Sequence, residues 1–248
     1  MRPGIGPAFG CPKPPSSFSP LSVANLRVWL DAADAGTQWQ TTGFATPASA
    51  DLDPVLGFQD KSGQNNHVTQ ASAPSAPVVD LSTVPGKRYL SFPSSLISRA
   101  TLTGGVIAQP FTVYLVAAFG TVSRIVHDGQ AAGFCRIAWG VSGTQMTLFL
   151  GSTLTATSTP DWSAGPVVVC CTADATDRIY VNDPVTAEMS NPAGTQGYGG
   201  IALGGLNNGT APNEGMLFGE LAVYAGAHDQ ATRELLMNTH FKPKWGIP

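Results

Sequence analysis

The stretch that most constrains this chain is residues 216–247. MLFGELAVY reads as a strand, with Leu217, Leu221 and Val223 on one side and Phe218, Glu220, Ala222 and Tyr224 on the other. After a glycine-containing turn, a helix is predicted from about Asp229 to Phe241, with Asp229 or His228 capping its free N–H groups. Ala231, Leu235, Leu236 and Thr239 supply its buried stripe, and Pro243 stops it. Lys242 and Lys244 suit its negative end, and Trp245 and Ile247 add a last apolar anchor. One strand closing a sheet, with one short helix laid against it, implies that nearly everything upstream is sheet.

The upstream sequence agrees. Residues 111–119 (FTVYLVAAF) are apolar on both alternating faces, which places that strand centrally. Short strands then recur about every ten residues: 123–127, 134–139, 145–150, 166–172, 178–182 and 200–203. Earlier strands are predicted at 25–30, 55–59 and 88–92, with residues 39–53 as a polar surface loop. Gly 28 and Pro 20 fit many short strands joined by tight turns. The fold class is all-β: a two-sheet antiparallel sandwich with one short C-terminal helix.

Residues 1–20 hold six prolines and three glycines and read as an extended arm, with Phe9, Cys11 and Phe18 as apolar anchors for a neighbouring subunit. The sandwich domain occupies 21–248. Charged residues make up only 12% and the net charge is −3, without the basic patch that nucleic-acid binding needs. No apolar run reaches membrane-spanning length, and the proline-broken N-terminus does not resemble a secretory signal. Cys11, Cys135, Cys170 and Cys171 lack zinc-ligand spacing and read as free thiols, which suits a reducing compartment.

Three stretches taken together resemble a known family: VWLDAADAGT with FQDKSGQNNHVTQ, RIYVND with IALGG, and FGELAVYAGAHDQATRELL with KWGI. They resemble the concanavalin A-like lectin/glucanase superfamily, in its laminin-G-like jelly-roll branch of bacterial and phage proteins, over about residues 21–247. The resemblance implies two sheets of six or seven strands, one of them concave, and no single activity. Calcium is often bound in that branch; Asp60, Ser62 and Asn65 are the oxygen donors here, although Asx-turn bonding accounts for Asp60 and Asn65 as well.

Hydrolytic members of the superfamily carry alternate carboxylates along one strand. This chain has four glutamates, Glu188, Glu214, Glu220 and Glu234, none two or four residues from another carboxylate on a strand. Glu220→Gln is accordingly expected to cost only about a few tenths of a kcal/mol. His67, His127, His228 and His240 read as isolated surface or turn residues, and no catalytic residue is assigned. For a glycan, the candidates are Trp39, Trp162 and Tyr198 with Asn207 and Asn208, all in predicted loops; Trp29, Trp139 and Trp245 read as core. No metal ligand or cofactor is assigned beyond the calcium possibility. The function favoured from sequence is a non-catalytic assembly protein, a phage virion component such as a capsid decoration or tail-associated protein. It would dock through its arm and form a homo-oligomer, with no nucleic-acid or membrane partner. The alternative is a carbohydrate-binding lectin domain at a bacterial cell surface or outside the cell. A degenerate hydrolase is the third reading.

Overall fold

The strand foreseen near the C-terminus is the spine of the first sheet. A computed structural model describes residues 18–119, 124–129, 136–139, 146–155, 165–205 and 213–248. In it β17 (Asn213–Ala225) pairs along one edge with β8 (Phe111–Phe119). Its other edge is divided: β6 (Tyr89–Ser95) takes the first half and β1 (Leu26–Asp31) the second. Beyond β8 lie β13 (Val167–Ala173), β14 (Arg178–Val181) and β15 (Met189–Ser190); beyond β6 lies β5 (Val78–Asp80). The second sheet runs β12 (Thr153–Thr155), β11 (Met146–Phe149), β10 (Arg136–Trp139), β9 (Arg124–Asp128), β16 (Ile201–Leu203) and β7 (Ile97–Arg99). It ends in β4 (Val68–Thr69), β3 (Gly57–Phe58) and β2 (Gln38–Trp39). The pairings within both sheets are antiparallel.

β8 is central, as its two apolar faces predict, and both faces are covered. Phe111 reaches across the sandwich to Tyr198, with ring centroids 6.0 Å apart, and Phe218 meets Phe58 of the second sheet at 6.1 Å. On the opposite face Tyr114 stacks on Phe241 of the C-terminal helix at 5.3 Å. The first sheet is therefore the middle of three layers, which is why its central strand has no polar alternation. Cys170 and Cys171, adjacent on β13, are both buried, neither is in a disulfide, and they point to opposite faces.

The helix starts where the sequence puts it. Asp229 caps it, its carboxylate accepting from the Thr232 N–H at 2.8 Å, and α1 (Gln230–Leu236) follows. The rest departs from expectation. A π-helical turn at Met237–Phe241 is followed by α2 (Lys242–Trp245), which carries Pro243 in its first turn and ends at Gly246 with φ +70°. Pro243 does not stop the helix here, since Phe241 and Lys242 before it keep right-handed helical geometry directly after the π turn. The wider π turn shifts the buried face to Arg233, Leu236, Met237, His240, Phe241 and Trp245. Of the predicted stripe only Leu236 is inside; Ala231 and Thr239 are exposed and Leu235 is 43% exposed. Arg233 is buried because its guanidinium donates to the Pro184 and His228 carbonyls and lies 4.1 Å from the Tyr180 ring. Replacing the cap, Asp229→Ala, is expected to lower unfolding free energy by about 1 kcal/mol in urea titration.

Two residues at the end of the segment read as an arm touch the body. Phe18 packs against the core, and its carbonyl is 3.3 Å from His240 Nδ1. Pro20 is buried, its carbonyl accepting from the Tyr224 hydroxyl at 3.1 Å.

Candidate functional site

Register links the strands of the second sheet into one transverse row. Trp39 lies opposite Gly57, Gly57 opposite Thr69, Thr69 opposite Ser98, Ser98 opposite Ala202, and Ala202 opposite Asp128. Directly opposed residues share a sheet face. The neighbouring rows, Gln38–Phe58–Val68 at one end and Leu203–His127–Ile137–Leu148 at the other, are buried in the sandwich. The Trp39 row therefore faces away from the first sheet. Ala202 and Asp128 are covered, whereas Trp39 and Ser98 are half-buried and Thr69 is exposed. The accessible part is the β2–β4 end.

An aromatic cluster stands on that end. The loop after β2 folds back on itself: Gln40 N–H donates to the Thr46 carbonyl at 2.7 Å, and Trp39 bridges to Pro47. This loop lays the Phe44 ring on Gly57, where an added Cβ would come within 2.7 Å of the ring. Glycine at 57 is thus required for Phe44 to reach the sheet. Phe44 itself has φ +54°, a left-handed conformation that costs a bulky residue about 1–3 kcal/mol. His67, on the same face as Thr69, meets Phe44 edge-on at 5.2 Å. Its Nδ1 accepts from the Asp60 N–H at 2.9 Å, so in the neutral ring the proton sits on Nε2. Burial lowers the pKa of His67, which favours that neutral form. The half-buried face thus offers two aromatic rings, one N–H donor and the hydroxyls of Thr69 and Ser98. That combination can stack the C–H face of a sugar ring and hydrogen-bond its hydroxyls.

Among the residues singled out from sequence, Trp39 is part of this face, although it lies in a strand and not in a loop. Tyr198 does not belong to the face. It is fully buried, bridges Ile107 and stacks on His127 at 5.3 Å, because the segment before β16 runs inside the sandwich. Trp162, Asn207, Asn208, Phe9 and Cys11 lie outside the described residues. Trp29 and Trp245 are core, as expected. Phe44 and His67 were not legible as site residues, since nothing in their local sequence shows that a loop folds over Gly57.

The histidines are corrected as well. His127 is fully buried with Nδ1 on the Ala202 carbonyl, and His228 Nδ1 meets the Tyr114 hydroxyl at 2.9 Å. His240 is buried against Glu220 at 2.8 Å. Glu220 is no lone carboxylate, and the mild cost expected for its replacement does not stand. It is completely buried and accepts from the indole N–H groups of Trp29 and Trp245, His240 Nε2 and Lys244 Nζ, all within 2.6–2.8 Å. Burial alone would raise its pKa; the His240 hydrogen bond and the Lys244 charge outweigh that and hold it at about 2. With both oxygens filled, Glu220 serves structure and is not placed for acid–base chemistry. Asp60 is likewise occupied, accepting from Trp29 N–H, Ser62 N–H, Ser62 Oγ–H and Asn66 N–H at 2.7–2.9 Å. Among the described residues no group of three or more His, Cys, Asp or Glu side chains is arranged to hold a metal ion. No described helix is long and apolar enough to cross a membrane.

No protein-family model matches this sequence, and neither does any curated protein. Solved structures do. The binding domain of Paraclostridial Mosquitocidal Protein 1 is similar with a TM-score of 0.60 at 13% identity, over 88% of this chain and 52% of that one. A GH54 α-L-arabinofuranosidase soaked with a cyclic sulfate inhibitor gives 0.61 at 14%, over 86% of this chain and 62% of that one. Domain 4 of AbnA, a GH43 extracellular arabinanase from Geobacillus stearothermophilus, in complex with arabinotriose, gives 0.53 at 14%, over 86% and 98%. The chain thus spans about half of the mosquitocidal structure but nearly all of the arabinanase domain. At these identities the likeness concerns architecture, and it establishes that this chain has the two-sheet antiparallel β-sandwich fold of those binding domains.

Proposed function

We propose that this chain is a carbohydrate-binding module without catalytic activity, taking a glycan on the Trp39–Phe44–His67 face of the second sheet. The observation that carries this reading is Phe44, held in a left-handed backbone conformation with its ring packed against Gly57 and beside a histidine with an N–H directed away from its Nδ1 contact. A strained residue on a half-open face is explained by what it presents. Similar folds with arabinotriose bound, and in binding domains, support the same reading. Non-catalytic action is supported by the occupied state of Glu220, since a glycosidase needs two available carboxylates about 5–9 Å apart. The C-terminal strand and helix closing the first sheet support placing the chain in the laminin-G-like branch.

The virion-assembly reading rests on an arm of which residues 1–17 lie outside the described residues, and the similar structures lend it no support. The test is a glycan array followed by titration calorimetry, with arabinotriose among the ligands. Phe44→Ala and Trp39→Ala are each expected to weaken binding about three- to tenfold, the value of a stacking face. An array without a hit for the unaltered protein, or a Phe44→Ala variant that binds equally well, would end the proposal.

A further inference from the structure

A cleft of about 410 Å³ opens among three other loops, with Gln109 and Pro110 on one wall, Asp174 and Ala175 on the second, and Pro192, Gly194 and Thr195 on the third. These walls are fastened together from behind. Asp177, fully buried, accepts from the Asp174 N–H at 3.1 Å and the Ala193 N–H at 2.6 Å, while its own carbonyl takes the Asn191 N–H. Gln109 Nε2 donates to the Gly194 and Gln196 carbonyls at 3.1 and 3.2 Å. Gly194 has φ +123°, and a Cβ there would sit 1.9 Å from the Leu150 carbonyl oxygen, so the third wall can only be built with glycine. The loops are thus set before any ligand arrives, which cuts the ordering cost of binding.

What the cleft offers is mostly hydrogen-bond acceptors. Asp174 accepts from the Thr176 N–H at 2.7 Å and more distantly from Arg178, which leaves capacity on a carboxylate with about four acceptor positions. With Gln109 Nε2 committed, its amide has only the carbonyl oxygen to give. Thr195 adds an exposed hydroxyl, and Pro110 and Pro192 add exposed apolar rings. The complement of such a lining is a ligand rich in O–H donors with apolar C–H faces. Asp174 and Asp177 together disfavour an anionic ligand. The volume falls at the small end of ligand sites, roughly 300–1,000 Å³.

We propose that this cleft is a second saccharide site, binding one neutral sugar residue through Asp174, Gln109 and Thr195. The choice of ligand rests on the glycan-binding reading; the site itself is distinct from the Phe44 face. The test is ¹⁵N-labelled full-length protein titrated with arabinotriose, galactose and sialyllactose. The neutral sugars should shift the amide signals of Ala175, Gly194 and Thr195, and the anionic one should not. Asp174→Ala should weaken that binding about tenfold to a hundredfold, the value of hydrogen bonds to a charged group. Ala175→Trp, which fills the cleft from an exposed turn without touching Asp177, should abolish it and guards against a mere loss of loop order in the first variant. Phe44→Ala should leave these shifts unchanged. Shifts confined to Gly57, Thr69 and their neighbours would overturn the second site and keep the first. Binding at Ala175, Gly194 and Thr195 that persists in Ala175→Trp would overturn it too. Shifts at neither set would fail both.

Discussion

Replacing Glu220 with glutamine is expected to cost about 3–5 kcal/mol of unfolding free energy, the range for removing one partner from a buried charge cluster. Four donors converge on this side chain: Trp29 Nε1 at 2.6 Å and His240 Nε2 at 2.8 Å on one oxygen, Trp245 Nε1 at 2.7 Å and Lys244 Nζ at 2.8 Å on the other. They come from β1, the π turn and α2, so one carboxylate ties the C-terminal helix to two strands of the first sheet. Glutamine keeps one acceptor oxygen but sets an NH₂ group against two donors, leaving buried N–H groups unpaired. It also removes one of the two carboxylates paired with Lys244. That amine reaches Asp31 at 2.5 Å, Asp31 in turn pairs with Lys61 at 2.8 Å, and Lys61 lies 4.3 Å from the Trp29 ring. Urea unfolding measures the effect, and a loss below about 1 kcal/mol would show that the cluster is not coupled as its geometry implies. A double-mutant cycle with Lys244→Met should give an interaction energy within about 0.5–3 kcal/mol.

This cluster marks the boundary of what the sequence could convey. Alternation put β8 at the centre of its sheet and grouped Glu220 with Ala222 and Tyr224, but it failed across Gly219: a register shift there turns Phe218 toward the second sheet with Leu221 and Val223 and leaves Leu217 on the side of Glu220. It could not show that a helix carrying two lysines, a histidine and a tryptophan would lie on the side that holds Glu220. Periodicity reports which side a residue faces only as far as the next bulge, and it says nothing about what covers that side. The same limit explains the helix itself: the cap at Asp229 is a local property and was legible, whereas the π turn that moves the buried stripe depends on packing against Tyr114 and Tyr89. Strands of two or three residues, such as β2, β4, β7 and β15, are too short to carry a period, and pairing to neighbours far along the chain is what creates them.

The proposed binding face is legible in the sequence only through Trp39, and for a partly mistaken reason. The prediction rested on a loop tryptophan, but what makes Trp39 available is its place in a transverse row whose other members come from β3, β4 and β7. Gly57 read as part of a short strand; that its missing side chain makes room for Phe44 requires knowing which loop returns to it. Tyr198 shows the converse: a glycine-rich segment suggests a surface loop, whereas this one threads the interior beside His127.

Acidification should destabilise the protein over two successive pH ranges, because its buried titratable groups act over different ranges. His127 is completely enclosed, and burial pushes its pKa down from 6.5 to about 4 despite the hydrogen bond to the Ala202 carbonyl; burial does the same to His228, again to about 4. Each binds a proton more readily in the unfolded chain, so the stability it confers is full above pH 6.5 and is lost as pH falls towards 4. Glu220, depressed from 4.5 to about 2, follows the same sign lower down: its contribution is full above 4.5 and is lost as pH falls through 2. The loss from His127 alone is on the order of 3 kcal/mol, as a shift of this size implies. Unfolding free energy measured by urea titration at a series of pH values should therefore begin to fall below 6.5, before most carboxylates titrate. His127→Phe, which keeps a ring against Tyr198 and removes the proton site, should flatten the upper part of that fall while leaving the part below 4.5 in place. The remaining slope between 6.5 and 4 belongs in part to His228, whose Nδ1 is engaged by the Tyr114 hydroxyl. A wild-type profile level between pH 6.5 and 4.5 would mean that both imidazoles take up protons in the folded state, and the enclosed environments assigned to them would have to be abandoned.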